Sequence, residues 1–303
     1  GRIGRLNMYT MSLYESGDSS GDASLLKMLE GTQETVNTGG IEISQLAKLI
    51  IRGGWPANIN VDEKKSGIIP KSYIDSILNI DMNEGEEKRR DKNKMKMLLK
   101  SLARNESSIV GDKTILKDIE DCENEVDRLS SRNTVIDYLD VLDRLHLIEN
   151  QEAYGENYRS PSRVGKSPKR HLTDPSLSCA CLGLTPEKLL KDFNIFGFMF
   201  ESLVERDLRI YMDYLDGHLY HFRDNVTRLE VDSILEFSDG EYAAVEIKLG
   251  YNQVEDAKKN LMRFYNNMVK KPVFMCIVFG ICPAIIKDPE TGIYIVPITA
   301  LKP

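Results

Sequence analysis

A chain of 303 residues with 41% hydrophobic and 29% charged side chains has enough apolar material for two or three globular domains. Its net charge of −7 excludes a protein that binds nucleic acid through overall charge, so any such contact needs a local basic patch. No apolar run approaches the roughly 20 residues that span a bilayer, and the five cysteines show no CxxC spacing. We therefore expect a cytoplasmic protein with reduced thiols and no membrane partner.

The first part of the chain predicts short helices separated by glycine-rich turns. Ser44 suits the N-cap of a helix that has an apolar stripe at Leu46 and Leu49. The sequence RGGWPA follows this stripe and ends the helix, because glycine and proline terminate helices. We interpret Trp55 in that sequence as core packing of a lid-like helical piece rather than as a ligand contact.

Three helices and two strands follow in the order of a winged helix. The apolar periodicity predicts helices over 92–104, 114–122 and 134–145 and strands over 147–153 and 170–174. In a winged helix the third helix is the recognition helix for DNA. This order therefore predicts a DNA-binding domain.

The loop between the two predicted strands, the wing, is basic and free of acidic residues from position 157 to position 173. We predict nucleic-acid contacts through phosphates at its basic residues, which are Arg159, Arg163, Lys166, Lys169 and Arg170. The predicted recognition helix, however, carries Asp137, Asp140 and Asp143, which repel DNA. A winged helix that binds another protein therefore remains an alternative.

The last third of the chain predicts a mixed α/β unit. Its order is one helix, three strands, one helix and two strands, which mixes hairpin and crossover connections. We assign the helices to 196–214 and 254–269. The strands are assigned to 219–223, to two segments within 228–250, and to 272–280 and 292–298.

Charged side chains interrupt the apolar hairpin RLEVDSILEFSDGEYAAVEIKLG, which begins at position 228. Pairing of its strands about residue 239 places Asp232 opposite Glu246, with the Cβ atoms roughly 5 Å apart. Because two carboxylates repel at this distance, we predict that they hold a divalent cation, Mg²⁺ or Mn²⁺. Lys248 lies on the same face as Glu246 and would orient or deprotonate a water. The alternative is a salt bridge between Asp232 and Lys248, with Glu246 solvated at the end of the sheet.

An Asp on one strand followed by Glu-x-Lys on the next resembles the PD-(D/E)XK nuclease superfamily. The resemblance implies a metal-dependent nuclease in which Asp232 and Glu246 are the metal ligands and Lys248 is catalytic. The superfamily often adds a glutamate on the preceding helix and a glutamine on the following one. Glu201 in FMFESLVERDL is our candidate for the first of these residues, and Gln253 for the second.

Longer segments, among them IRGGWPANI, FGFMFESLVERDL and YHFRDNVTRLEVDSILE, resemble bacterial and archaeal AAA+-type ATPases that carry a C-terminal domain of unknown function of the DUF4143 type. The resemblance implies an N-terminal P-loop domain, but the sequence lacks GxxxxGK[ST]. We therefore expect the chain to begin at the end of the ATPase domain and not to hydrolyse ATP. Only a full-length parent with the missing P-loop domain would bind ATP. Arg2 and Arg5 in GRIGRL would be nucleotide-sensing residues in such an ATPase or, alternatively, solvated arginines.

Together these patterns predict an α/β and α+β multidomain protein. We expect a helical ATPase remnant over 1–84, a winged helix over 85–180, and a PD-(D/E)XK-like mixed sheet flanked by helices over 181–303. The predicted function is that of a metal-dependent, nuclease-like half of an ATPase that acts on nucleic acid. The alternative is a catalytically inactive module that binds nucleic acid or protein.

Overall fold

The computed structural model describes residues 7–62, 65–79, 91–120, 131–157 and 165–303. It shows the predicted mixture of α and β structure, a helical N-terminal part followed by a seven-stranded mixed sheet packed against helices. The helices in this part of the chain are α1 (Leu25–Leu29), α2 (Ile43–Arg52), α3 (Ile68–Asn79), α4 (Lys92–Arg104), α5 (Asp112–Glu120), α6 (Arg132–Arg144), α7 (Pro175–Leu182), α8 (Pro186–Leu189), α9 (Phe193–Tyr214) and α10 (Val254–Asn267). The strands are β1 (Ala23–Ser24), β2 (Val36–Asn37), β3 (Ser108–Ile109), β4 (Ile148–Gln151), β5 (Lys169–Leu172), β6 (His218–Asp224), β7 (Leu229–Glu236), β8 (Tyr242–Lys248), β9 (Met275–Phe279), β10 (Ala284–Lys287), β11 (Tyr294–Pro297) and β12 (Leu301–Lys302).

The seven-stranded sheet has the strand order β2-β10-β11-β9-β8-β7-β6. Strand β9 runs parallel to both of its neighbours, and the other strand pairs of this sheet are antiparallel. In the hairpin of β7 and β8, Ser233 pairs with Val245 and Ile234 pairs with Ala244. This register is the one that pairing about residue 239 predicts.

Helices cover both faces of this sheet. On one face α9 contributes Phe200 to a core that also contains Val245 of β8. On the other face α10 contributes Phe264 to a core that contains Ala244, the residue next to Val245 on the same strand. Because neighbouring residues of a strand point to opposite faces, the nearly continuous apolar sequence of β8 is what a strand covered on both faces requires.

The three helices predicted for a winged helix correspond to α4, α5 and α6, and the predicted strands to β4 and β5. A short strand that the sequence did not predict, β3, pairs with β5 and completes a three-stranded sheet of order β3-β5-β4. The helices and this sheet enclose a core of their own. Trp55 packs against that core and donates its indole N–H to Ser176 Oγ at 2.9 Å, in line with the packing role expected for it.

Segments from the N-terminal part are built into the C-terminal core. Strand β1 pairs in parallel with β12 through Ala23 and Leu301, and β2 pairs with β10. Leu13 and Leu46 lie in the same buried core as α9. The predicted boundaries after residues 84 and 180 stay predictions, and the structure adds that the first predicted domain shares a core with the third.

A buried ion-pair network joins these segments. On α9, the guanidinium of Arg206 lies 3.0 Å from Asp174 Oδ2 and 2.6 Å from Asp207 Oδ1. The same carboxylates accept backbone hydrogen bonds from the N-terminal part: Gly54 N–H donates to Asp174 and Leu13 N–H donates to Asp207, each at 3.0 Å. One arginine therefore ties together α9, the start of α7 and two N-terminal loops.

None of the described helices is long and apolar enough to cross a membrane.

The loop that contains Gly54 has no room for a side chain, which gives a stability prediction. A Cβ atom at position 54 would lie 2.0 Å from the backbone oxygen of Met11, so Gly54→Ala must displace the backbone. We expect this substitution to lower the free energy of unfolding by at least about 3 kcal/mol. Gly40→Ala is the matched control, because a Cβ at position 40 would meet nothing closer than 3.8 Å and should change stability by less than about 0.5 kcal/mol. Urea denaturation followed by circular dichroism measures both, and equal stabilities of the two variants would contradict the close backbone contact.

Candidate functional site

The charged residues of the hairpin converge around the ammonium group of Lys248. Its Nζ atom lies 2.6 Å from Glu246 Oε2 and 3.0 Å from Asp232 Oδ2. Asp232 Oδ2 also accepts the backbone N–H of Ile247 at 2.8 Å across the strand pair. The structure thus brings the three predicted residues together, and it contains the salt bridge that was the alternative to a metal site.

Glu246 is buried rather than solvated, with 3% of its surface exposed. The side-chain amide of Asn260 on α10 donates to Glu246 Oε1 at 2.7 Å. Burial, together with the neighbouring charge of Asp232, raises the pKa of the Glu246 carboxyl well above its usual range. Burial favours the neutral form of Lys248, but Asp232 and Glu246 outweigh it and raise the pKa of the Lys248 ammonium group. Lys248 is therefore charged at neutral pH in this arrangement of the three side chains.

A second lysine, Lys169 of β5, extends the charged group toward α9. Its Nζ atom lies 2.7 Å from Glu201 Oε1, 2.8 Å from Glu205 Oε1 and 3.1 Å from the backbone oxygen of Asp232. Glu201 and Glu205 are one helical turn apart on α9, so both carboxylates face the same side. Burial raises the pKa of Glu201, although Lys169 lowers it again in part.

The direct contacts link four carboxylates and two ammonium groups, which we call the acidic cluster. Its members are Asp232, Glu246, Glu201, Glu205, Lys169 and Lys248. With every group ionised, four negative and two positive charges leave the cluster with a net charge of −2. Because a buried excess of charge is costly, this cluster favours either two added protons or one divalent cation. Glu201 and Glu246 are the carboxyl groups that would take up the two protons, because burial raises the pKa of each.

One side of the acidic cluster opens into a cleft of about 550 Å³. Lys248 and Glu201 line this cleft, whereas Asp232 and Glu246 contact Lys248 but are not among the lining residues. A ligand that entered the cleft would meet the ammonium group of Lys248 and the carboxyl group of Glu201 first.

Asp232 and Glu246 are oxygen donors of the kind that hard divalent cations prefer. Within the described residues no group of three or more His, Cys, Asp or Glu side chains is arranged around one point as a metal site. Mg²⁺, however, is commonly held by one or two carboxylates together with waters and substrate phosphates. Asp232 and Glu246 are such a pair, and a cation beside them would require Lys248 to move from its position between the two carboxylates.

The structure places the described basic residues of the wing in different surroundings. Lys169 is 2% exposed and belongs to the acidic cluster rather than to a nucleic-acid surface. Arg170 donates to Asp112 Oδ1 at 2.7 Å, and half-buried Lys166 donates to the backbone oxygen of Arg223. The other predicted nucleic-acid and nucleotide-sensing residues lie outside the described part of the chain: Arg159, Arg163, Arg2 and Arg5.

A buried polar chain beside the acidic cluster was not predicted. Glu106, which follows α4, accepts hydrogen bonds from the Ser202 hydroxyl at 2.9 Å and from the Leu172 backbone N–H at 3.2 Å. His171 of β5 lies between Glu106, 3.1 Å from its Nδ1 atom, and Glu205, 3.2 Å from its Nε2 atom. Charged residues in the short strand sequence KRHL were the available signal, because a strand packed on a core seldom carries three polar residues in a row.

Comparison with known families identifies two domains of unknown function. Residues 43–188 match the family model described as domain of unknown function DUF8612, and residues 196–301 match the one described as domain of unknown function DUF4143. No curated protein and no solved structure matches the chain. The second match agrees with the type of C-terminal domain expected from the sequence. The first match extends across position 84, where the sequence predicted a domain boundary.

The buried position of Lys169 gives a prediction that separates a role in fold stability from the predicted role of this residue in nucleic-acid binding. Lys169→Met leaves the carboxylates of Glu201 and Glu205 without their shared cation. We expect a loss of about 3 kcal/mol or more in the free energy of unfolding. The control is Lys259→Met, because the Lys259 side chain is 74% exposed, and it should cost less than about 0.5 kcal/mol. A Lys169→Met protein as stable as the control in urea denaturation would contradict the burial of this ammonium group.

Glu106 gives a prediction of pH dependence. Burial raises the pKa of its carboxyl to about 7, whereas the unfolded chain loses this proton near pH 4.5. Between these pH values the folded state holds a proton that the unfolded state has lost, so this group lowers stability as pH rises. The total loss is about 3 kcal/mol. Glu106→Gln removes this titrating group. The free energy of unfolding of the wild type minus that of the variant should therefore be larger at pH 5 than at pH 8.

The control is Glu255→Gln, because the Glu255 side chain is 74% exposed. A difference that does not vary with pH would contradict the raised pKa.

Proposed function

We propose that the acidic cluster is the active site of a Mg²⁺- or Mn²⁺-dependent phosphodiesterase that acts on nucleic acid. The observation that carries this proposal is a buried group of four carboxylates and two ammonium groups that borders an open cleft, and whose net charge would be −2 if every group were ionised. A divalent cation supplies the missing charge. A phosphodiester in the cleft would supply oxygen ligands that the protein itself does not provide.

In this proposal each side chain of the acidic cluster has a separate role in catalysis. Asp232 and Glu246 would hold the cation, which polarises the phosphodiester and lowers the pKa of a bound water. Lys248, which stays charged at neutral pH, would bind a phosphate oxygen and stabilise the negative charge that develops during the reaction. Glu201, for which burial favours the protonated form, would limit the negative charge that an incoming phosphate meets.

A wider role as the C-terminal half of an AAA+-type ATPase belongs to the same proposal. It rests on the sequence resemblance, which the match of residues 196–301 to DUF4143 supports in its domain type only. ATP and the P-loop domain would then act in the full-length parent. The winged-helix order of α4, α5, α6 and their sheet would provide a further surface for nucleic acid or for a protein partner.

One observation favours the second function, a module that binds without cleaving. Lys248 occupies the space between Asp232 and Glu246, and its ammonium group partly compensates both carboxylates without a metal ion. A stable salt bridge of this kind would leave the fold intact and the chemistry absent.

Cleavage assays with matched variants separate the two functions. Fluorescently labelled single-stranded and duplex DNA and RNA are incubated with the full chain in Mg²⁺, in Mn²⁺ and in EDTA. We expect cleavage with a metal ion only, and a loss of at least about 100-fold in rate for Asp232→Asn and for Glu246→Gln. Asp256→Asn is the control, because the Asp256 side chain is 87% exposed on α10 and should leave the rate unchanged.

The same experiment has two contrary outcomes. Cleavage that survives in Asp232→Asn comes from another site or from a contaminating nuclease. Binding of nucleic acid without cleavage under any condition supports the inactive module. Calorimetric titration of Mg²⁺ and Mn²⁺ into wild type and Asp232→Asn reports whether the cation site exists in either case.

A further inference from the structure

One face of α9 forms one wall of the cleft beside the acidic cluster. Residues spaced by one, four, five and eight positions lie on the same side of a helix. The residues of α9 that line the cleft have this spacing and are Phe193, Asn194, Gly197, Phe198 and Glu201. The opposite wall comes from the end of β8 and the turn after it, with Lys248 and Asn252.

Gly197 leaves a gap in this face that the fold does not require. A Cβ atom at position 197 would meet nothing within 4 Å among the described residues, and the backbone there is ordinary helix. Glycine in a helix interior lowers stability relative to alanine. The glycine therefore weakens α9 without a steric reason in the protein, and what it provides is open space between the two phenylalanines and Glu201.

The side chains around the gap are aromatic and amide groups that face solvent. Phe193 is 58% exposed and Phe198 is 38% exposed. A ligand in the cleft would cover both side chains. The side-chain amides of Asn194 and Asn252 make no hydrogen bond within the described residues. Phenylalanine rings next to such amide groups suit a flat aromatic ligand that carries polar atoms on its edge. Such a ligand can stack on a phenylalanine while its edge forms hydrogen bonds with the amides.

We propose that this cleft receives an unpaired nucleobase of a single-stranded nucleic acid, whose adjoining phosphate contacts Lys248. The inference rests on the proposed function and names its substrate class. Among the described residues that line the cleft, Lys248 is the one cationic residue, whereas recognition of a duplex backbone uses many Lys and Arg side chains. A base within a duplex also has its faces covered by its neighbours and cannot stack on Phe193 or Phe198.

Binding assays with the full chain test the substrate class separately from cleavage. The probe is a fluorescein-labelled single-stranded DNA of about 12 nucleotides, compared with the matching duplex by fluorescence anisotropy. Each titration is made in EDTA and in Ca²⁺, a hard cation that takes the same oxygen ligands. We expect the single strand to bind at least about 10-fold more tightly than the duplex in one or both conditions. Equal affinities, or no binding of the single strand in both conditions, would overturn the inference.

Variants of α9 connect the binding to the cleft. Phe193→Ala and Phe198→Ala should each weaken single-strand binding by about 5- to 160-fold, which corresponds to the roughly 1–3 kcal/mol that one base loses with its stacking partner. Tyr214→Ala is the matched control, because Tyr214 is an aromatic residue of the same helix that is 74% exposed and does not line the cleft. A Tyr214→Ala protein that loses as much affinity would show that general surface hydrophobicity, and not the cleft, binds the probe.

Gly197 offers a test in which stability and binding change in opposite directions. Gly197→Leu replaces glycine with a strong helix former and fills the gap, so the melting temperature should rise by about 2 °C. Single-strand binding should fall by at least about 10-fold. A merely structural role for Gly197 predicts lower stability instead, and unchanged binding in a stable variant would overturn the assignment of the gap to a base.

Failure of the proposed function and failure of this inference give different results. Single-strand binding that depends on Phe198, without cleavage under any metal condition, would overturn the phosphodiesterase and leave the base site. Metal-dependent cleavage of duplex DNA that Phe198→Ala does not slow would overturn the base site and leave the phosphodiesterase. Affinity for a peptide that Gly197→Leu abolishes, with none for nucleic acid, would overturn both.

Discussion

The ion pairs of Arg206 are the interaction on which the rest of the structure depends. This guanidinium is buried between Asp174 and Asp207, and both carboxylates also hold the backbone of N-terminal loops at Gly54 and Leu13. The attraction of Arg206 keeps the pKa of Asp174 below its usual range even though burial alone would raise it. Loss of one partner would leave an uncompensated charge in the interior at a cost of several kcal/mol. A single side chain therefore links two loops of the N-terminal part to α9 and to the start of α7.

The same helix, α9, also positions two carboxylates of the acidic cluster. Glu201 and Glu205 lie within two turns of Arg206, so the ion pairs that anchor the helix also set where these carboxylates meet Lys169 and Asp232. The hairpin contributes the other half of the cluster from strands that are buried on both faces. A site built on a packed helix and a central hairpin is held in place before any ligand arrives, which is what electrostatic catalysis requires.

The sequence predicts local features well and distant contacts poorly. The register of β7 and β8 follows from alternation and a tight turn, so the meeting of Asp232, Glu246 and Lys248 could be derived from residues close in the chain. The entry of Lys169 into that site could not, because it depends on the packing of β5 against α9 and β7. From the sequence alone, Lys169 is one of several basic residues in a predicted loop. Strand β10 was missed because four residues in CPAIIKDP are too short for a clear pattern, and the N-terminal strands were missed because their partners lie at the far end of the chain.

The pairing of β1 with β12 has a consequence for how the molecule forms. Ala23 and Ser24 meet Leu301 and Lys302, so strands from opposite ends of the sequence must find each other before the core around α9 is closed. Contacts between residues so far apart slow folding, because the entropy of closing a long loop is lost before the contacts compensate for it. During synthesis the N-terminal segments leave the ribosome long before their partners exist, and their apolar side chains stay uncovered for that time. Closure of the core around α9 therefore waits for β12, and the apolar side chains near β1 stay exposed to other chains until that strand has been made.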